Sequence, residues 1–112
     1  MSQQLANIVQ KFITIQIQVK TFHWQTFNYS NHKVADKLYE KFLDLSDEFV
    51  ETFMGQQGKH LTFKNNKQVT LSNISHKRMI TILKTFTKFL TSLTLTSDLA
   101  NIRDEILGLV HK

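Results

Sequence analysis

The sequence predicts an all-α fold, a bundle of four helices with one long connection between the second and the third. Three observations predict it. Apolar residues recur at three- and four-residue steps in four separate stretches. There is no proline and there are only three glycines, so little interrupts those stretches. A polar, basic segment without any period separates the second stretch from the third. With 112 residues, 41% of them apolar, the chain can fill one core and has no room for two, so residues 1–112 read as a single domain.

Helix 1 is expected over residues 3–26. Leu5, Ile8, Val9, Phe12, Ile15, Val19 and Phe22 lie along one face, and Ile13, Ile17 and Trp24 form a second apolar stripe about 100° away. A helix apolar on two faces has more to cover than its own bundle, which predicts self-association. Helix 2 is expected over 31–54, capped by Ser30 or Asn31, with Val34, Leu38, Phe42, Leu45, Phe49 and Phe53 inward. Gly55 suits the left-handed position just past its end. Residues 55–73 read as the long connection. Helix 3 follows over 75–94, with Met79, Ile82, Leu83, Phe86, Phe89, Leu90 and Leu93 inward. Ser97 can cap helix 4, residues 98–111, whose inward set is Leu99, Ile102, Ile106 and Val110. Two short links and one long one describe a bundle with a crossover, which is the ferritin-type arrangement.

Composition removes several classes of function. Without cysteine there are no disulfides, zinc fingers or thiol nucleophiles. No run approaches the ~20 apolar residues of a membrane span. The N-terminal residues lack a basic region followed by an apolar block, so an intracellular setting is expected. There is no glycine-rich phosphate loop and no Ser/His/Asp order that would recommend a hydrolase. The net charge of +5 permits anionic partners, but its distribution says more. All nine acids lie within 36–51 and 98–105, and residues 52–97 hold seven Lys or Arg and no acid.

The residues able to carry chemistry concentrate in 21–55, which holds His23, His32, Asp36, Asp47 and Glu51. On helix 2 the offsets from His32 are 4, 15 and 19, which fall within an arc of about 100°. Imidazole and carboxylates on one face suit a first-row metal such as iron, manganese or zinc. One ion cannot use all of them, because fifteen residues of helix separate His32 from Asp47 by about 22 Å. If a second copy packs antiparallel against this face, His32 and Asp36 of one chain meet Asp47 and Glu51 of the other, and a twofold axis makes two equal sites. Leu43, Val50 and Met54 on the same face would supply apolar area, and His23 could complete the histidine side.

This stretch resembles the Dps-like mini-ferritins. That family carries a His-Trp on its first helix, then a His, an acid four residues later, and an Asp-xxx-Glu pair fifteen and nineteen residues after that His. Here the matching positions are His23-Trp24, His32, Asp36, Asp47 and Glu51. The resemblance implies a ferroxidase site shared across a dimer interface, with His23, His32 and Asp36 from one chain and Asp47 and Glu51 from its partner. It implies iron as the metal, protection against oxidative damage as the role, and a homodimer or larger homo-oligomer as the assembly. The His23–His32 interval of nine residues is shorter than is typical of the family, and Phe27-Asn28-Tyr29 stand where the turn usually has glycine. As a whole the chain is most similar to the small Dps-like proteins of large DNA viruses and phages, which would place it in a host cytoplasm or a virion.

Other readings stand beside this one. Trp24 is expected to anchor an interface, and His23 is equally able to ligate metal or to pack against a carbonyl. Lys77, Arg78, Lys84 and Lys88 lie close together on helix 3 and could contact DNA phosphates, although such a stripe is most often a solvent face. His60, His76 and His111 read as surface residues, and Asp104 and Glu105 as facing out from helix 4. Two functions from other classes remain open, a structural or virion-associated assembly protein without metal turnover and a basic DNA-associated module.

Overall fold

The computed structural model describes residues 2–111. Four helices appear in the expected order, α1 (Ser2–Gln25), α2 (Tyr29–Gln57), α3 (His76–Thr91) and α4 (Ser97–Val110), and there is no strand among the described residues. None of the helices is long and apolar enough to cross a membrane among the described residues. α1 packs on α2 and α3, and α4 packs on α2 and α3, so α2 and α3 sit on a diagonal of the bundle.

The link of residues 58–75 sets the direction of α3. The Ile74 N–H donates to Gln25 Oε1 at 2.8 Å, and Asn31 Nδ2 lies 3.2 Å from His76 Nδ1. α3 therefore starts at the end of the bundle where α1 stops and α2 starts, and it runs parallel to α2. To get there the chain returns the length of the bundle along α1. Gln10 Nε2 donates to the Gln68 carbonyl on the way, and Val9 and Ile13 share a hollow with Phe63 and Val69. The crossover predicted from the sequence is thus a strap along one helix.

The core is built on phenylalanine. Phe12 of α1 meets Phe42 and Phe49 of α2 and Phe86 of α3 edge to face, with ring centroids 5.5, 5.4 and 6.2 Å away. This geometry sets the positive edge of one ring on the negative face of the next. All seven inward residues named for helix 1 are buried, as are Leu99, Ile102 and Ile106 of α4. Val34 is a correction. It is 61% exposed, and Ala35 takes the inward place, because the core stripe of α2 runs through Ala35, Phe42, Ser46, Phe49 and Phe53. In the second stripe of α1, Ile13 and Trp24 are exposed and Ile17 is half-buried, so the two-faced character of that helix is real.

The helix ends differ from expectation in four places, the first being α3, which stops at Thr91 with Ser92 as its C-cap rather than at 94 and leaves Leu93 just beyond it. Asn28 rather than Ser30 or Asn31 caps α2, with its Oδ1 accepting the Asn31 N–H at 2.9 Å. Asparagine caps as well as serine, so a three-residue turn suffices and the helix starts earlier than predicted. Thr96 rather than Ser97 precedes α4, and it makes no side-chain cap. Gly58 rather than Gly55 ends α2. It holds φ 66°, and the Gly58 and Lys59 N–H groups both reach the Met54 carbonyl. The left-handed conformation is needed only where the chain leaves the helix, and the Gln-Gln pair after Gly55 carries the helix one turn further.

These two glycines make a paired prediction. Gly58→Ala should cost about 1–2 kcal/mol, because a Cβ disfavours the left-handed region. Gly55→Ala should stabilise by about 0.5–1 kcal/mol, because Gly55 is helical with nothing within 4 Å of the added carbon. Thermal melts of the two variants should move in opposite directions.

Toward the same end of the bundle, where Thr96 donates to Gln56 at 3.1 Å, Arg103 of α4 closes α3. Its guanidinium donates to the Leu90 and Leu93 carbonyls at 3.3 Å each and to Asp104 at 3.0 Å. The carbonyls that a helix end leaves without partners are thereby satisfied from the neighbouring helix. Asp104 and Glu105 face out, as expected.

Candidate metal centre

The short turn between α1 and α2 brings His23 and His32 together. His23 is the last basic residue of α1 and is 92% buried, with 8% of its surface exposed. Its ring stacks on that of His32 with centroids 3.8 Å apart and planes 23° from parallel. Each ring is fixed by the backbone of the other residue. His23 Nδ1 lies 2.7 Å from the His32 carbonyl, and His32 Nδ1 lies 2.8 Å from the His23 carbonyl. A carbonyl only accepts, so each Nδ1 must carry the hydrogen. In the neutral ring this tautomer leaves the lone pair on Nε2. A carbonyl holding the far N–H of an imidazole is a recurrent support for histidine ligands. The alternatives held open for His23, packing against a carbonyl and ligation, use different ring nitrogens and are compatible.

Asp36 lies one turn beyond His32 on α2. Its Oδ1 is 3.8 Å from His23 Nε2 and 3.8 Å from Lys20 Nζ. Two donors each about 2.0–2.2 Å from one ion can be separated by that much. Lys20 is a residue the sequence reading missed. Its ammonium also lies 4.7 Å from the centroid of the Tyr39 ring and 5.3 Å from that of Trp24. The signal that could have found it is spacing, since Lys20 precedes His23 by one helical turn. Trp24 is 71% exposed.

Asp47 and Glu51 form a second, separate group further along α2. Both are exposed, and a hydrogen bond to Asp47 together with its like charge holds the Glu51 carboxyl above its ordinary value of 4.5. A folded state that raises an acid's pKa is favoured below the unfolded value, and the contribution is lost as pH rises through the folded one. At neutral pH the pair therefore repels itself, and a bound cation would relieve that repulsion.

The helix keeps the two groups apart as the spacing requires. Among the described residues no three His, Asp or Glu side chains come close enough together to hold an ion. One chain offers two imidazoles and a carboxylate at one end of α2 and two carboxylates at the other. The remaining candidates stand elsewhere. Lys77, Arg78, Lys84 and Lys88 are exposed on α3, and His60, His76 and His111 are exposed.

The chain belongs to DUF5856, a family of unknown function whose pattern matches residues 23–112. The matched span opens on His23 and takes in His32, Asp36, Asp47 and Glu51. No curated protein and no solved structure matches the chain.

Proposed function

We propose that this protein is a ferritin-like, Dps-related iron protein that oxidises Fe(II) at two sites shared across a homodimer. His23, His32 and Asp36 of one chain would hold the iron substrate with Asp47 and Glu51 of the other. The observation that carries this reading is the reciprocal pair of Nδ1–carbonyl bonds, which turns Nε2 of each neutral histidine free of the backbone and leaves that of His23 3.8 Å from Asp36 Oδ1. Support also comes from the bundle, whose parallel α2 and α3 and long crossover follow the ferritin-type connection. Imidazole and carboxylate donors fit Fe(II), and manganese or zinc would compete for the same set. In the reaction, two Fe(II) each lose one electron, and one hydrogen peroxide takes both electrons and two protons to give two waters. Removing free Fe(II) and peroxide together limits radical damage.

The test is anaerobic Fe(II) titration of the purified protein, followed by peroxide. The expected result is saturable uptake and oxidation faster than in buffer. Asp47→Ala should lose both while its circular dichroism stays helical. No saturable uptake by a well-folded oligomer would overturn the reading and favour a purely structural assembly protein.

A second reading rests on the basic side of the molecule. A groove of about 240 Å³ between α1 and α3 includes Lys11, Gln18, Arg78 and Thr81, so that Arg78 joins it to the other exposed bases of the acid-free α3. Such a surface suits a phosphate backbone, and DNA binding there would weaken steeply with salt and survive Asp47→Ala.

A further inference from the structure

Two features of the surface remain unexplained by a single chain. The first is Phe27, in the turn between α1 and α2, which is fully exposed at 106% of its reference surface. A large apolar ring left wholly in water needs a reason when Trp24 and Tyr29 beside it are each 71% exposed as well. The second is a hollow of about 370 Å³ at the far end of α2, bordered by Glu51, Met54, Gly55, Gly58, Lys59 and His60. Its two glycines contribute no side chain, and nothing lies within 4 Å of where a Cβ would stand on either.

The charges of α2 indicate what brings the two together. Its first half, up to Leu43, carries Lys33, Lys37 and Lys41 besides His32, against the two acids Asp36 and Glu40. Its second half carries Asp44, Asp47, Glu48 and Glu51 and no base. None of those four acids has a cation within 4.0 Å among the described residues, since the ion pairs there involve only Asp36 and Asp104. All the bases of the helix lie in the half that is slightly positive overall and the other half holds only acids, so an antiparallel copy would set the lysines of one chain against the unpaired acids of the other. The exposed or half-buried stripe of His32, Asp36, Leu43, Asp47, Val50 and Met54 gives that pairing a seam.

The register then follows. Setting His32 against Glu51 and Asp36 against Asp47, as the shared-site reading requires, puts the twofold axis midway between positions 41 and 42. The same axis sets Tyr29 opposite Met54 and Phe27 opposite Gln56, within the stretch that borders the glycine hollow. We infer that Phe27 of each chain seats in the hollow between Glu51 and His60 of a second copy, closing the outer end of each shared site. This rests on the antiparallel pairing in the proposed function and adds to it the residue that locks the pair. An aromatic ring in a pocket at an interface is the usual form of a dominant contact. It would also cover the Glu51 side of the site from water.

The experiment compares dimer dissociation by sedimentation for the wild type, Phe27→Ala and Gly55→Leu, together with thermal melts and Fe(II) oxidation. Phe27→Ala removes a ring that touches nothing in its own chain. Gly55→Leu fills the hollow at a helical position where a larger residue should favour the helix. Both variants should keep the helical spectrum, and each should raise the dissociation constant at least tenfold. In this cysteine-free chain, Phe27→Cys combined with Gly55→Cys should give a covalent dimer on oxidation. Dimers of both variants as tight as the wild type, with no covalent dimer, would overturn the seat of Phe27. Fe(II) oxidation that persists in those dimers would leave the shared site standing. A wild type that is monomeric at all concentrations would overturn both.

Discussion

Phe12→Ala is expected to cost about 3–5 kcal/mol, the range for removing a buried phenyl from a packed core. Phe12 is 1% exposed and is the ring that Phe42, Phe49 and Phe86 share, so its loss removes edge contacts to two other helices at once. The strap of residues 58–75 keeps α1 tied along its outside and limits how far the helices can collapse into the void. Against a total stability of roughly 5–15 kcal/mol for a domain of this kind, that loss removes a large share of what holds the fold. Urea unfolding followed by helical circular dichroism should show a much lower midpoint with an unchanged slope. A loss below about 1 kcal/mol would mean that the cluster is not the centre of the core.

The second large effect is complementation between two inactive chains. If the sites are shared as proposed, His32→Ala and Asp47→Ala should each abolish Fe(II) oxidation, because each would destroy one half of both sites in its own homodimer. In the mixed dimer the two defects fall in the same site. The other site then receives His32 from the Asp47→Ala chain and Asp47 from the His32→Ala chain. Random exchange makes about half the dimers mixed, each with one sound site, so activity should return to about a quarter of wild type. Denaturing and refolding the two variants together, then assaying with peroxide, checks this. A site contained within one chain gives no recovery at any ratio. The size of the recovery therefore tests the sharing itself, which the loss of activity in either variant alone does not.

Much of the fold was legible because the helices are long and their apolar spacing is regular. Phe12, Phe42, Phe49 and Phe86 were all placed inward from periodicity alone. The ends were less legible. Asn28, Ser30 and Asn31 are nearly equivalent caps, and only the tightness of the turn decides among them. Gly55 and Gly58 are both plausible stops, and the choice depends on where the strap must leave. Val34 was misplaced because the core stripe drifts along a helix of 29 residues, and a stripe drawn through Leu38 puts position 34 on the wrong side of it. For the candidate centre, the pattern told which residues share a face but not how the histidines are held. Carbonyl bonds between residues nine apart depend on the path of a turn, and no spacing rule encodes them. Spacing puts Lys20 one turn before His23 on α1, but its approach to Asp36 crosses from α1 to α2 and no spacing rule encodes that.

The histidine clamp also bears on the order in which the molecule assembles. Its bonds join residues nine positions apart across a three-residue turn, so the loop to be closed is small and its entropic cost low. Docking α3 and α4 requires the chain to close the whole strap of 58–75 first. Contacts between near neighbours form early in folding, and those with distant partners wait. The nascent α1–α2 hairpin would then carry its two imidazoles locked in one tautomer before a bundle exists to shelter them. The geometry of the histidine pair would be an early product of folding, with the core added around it.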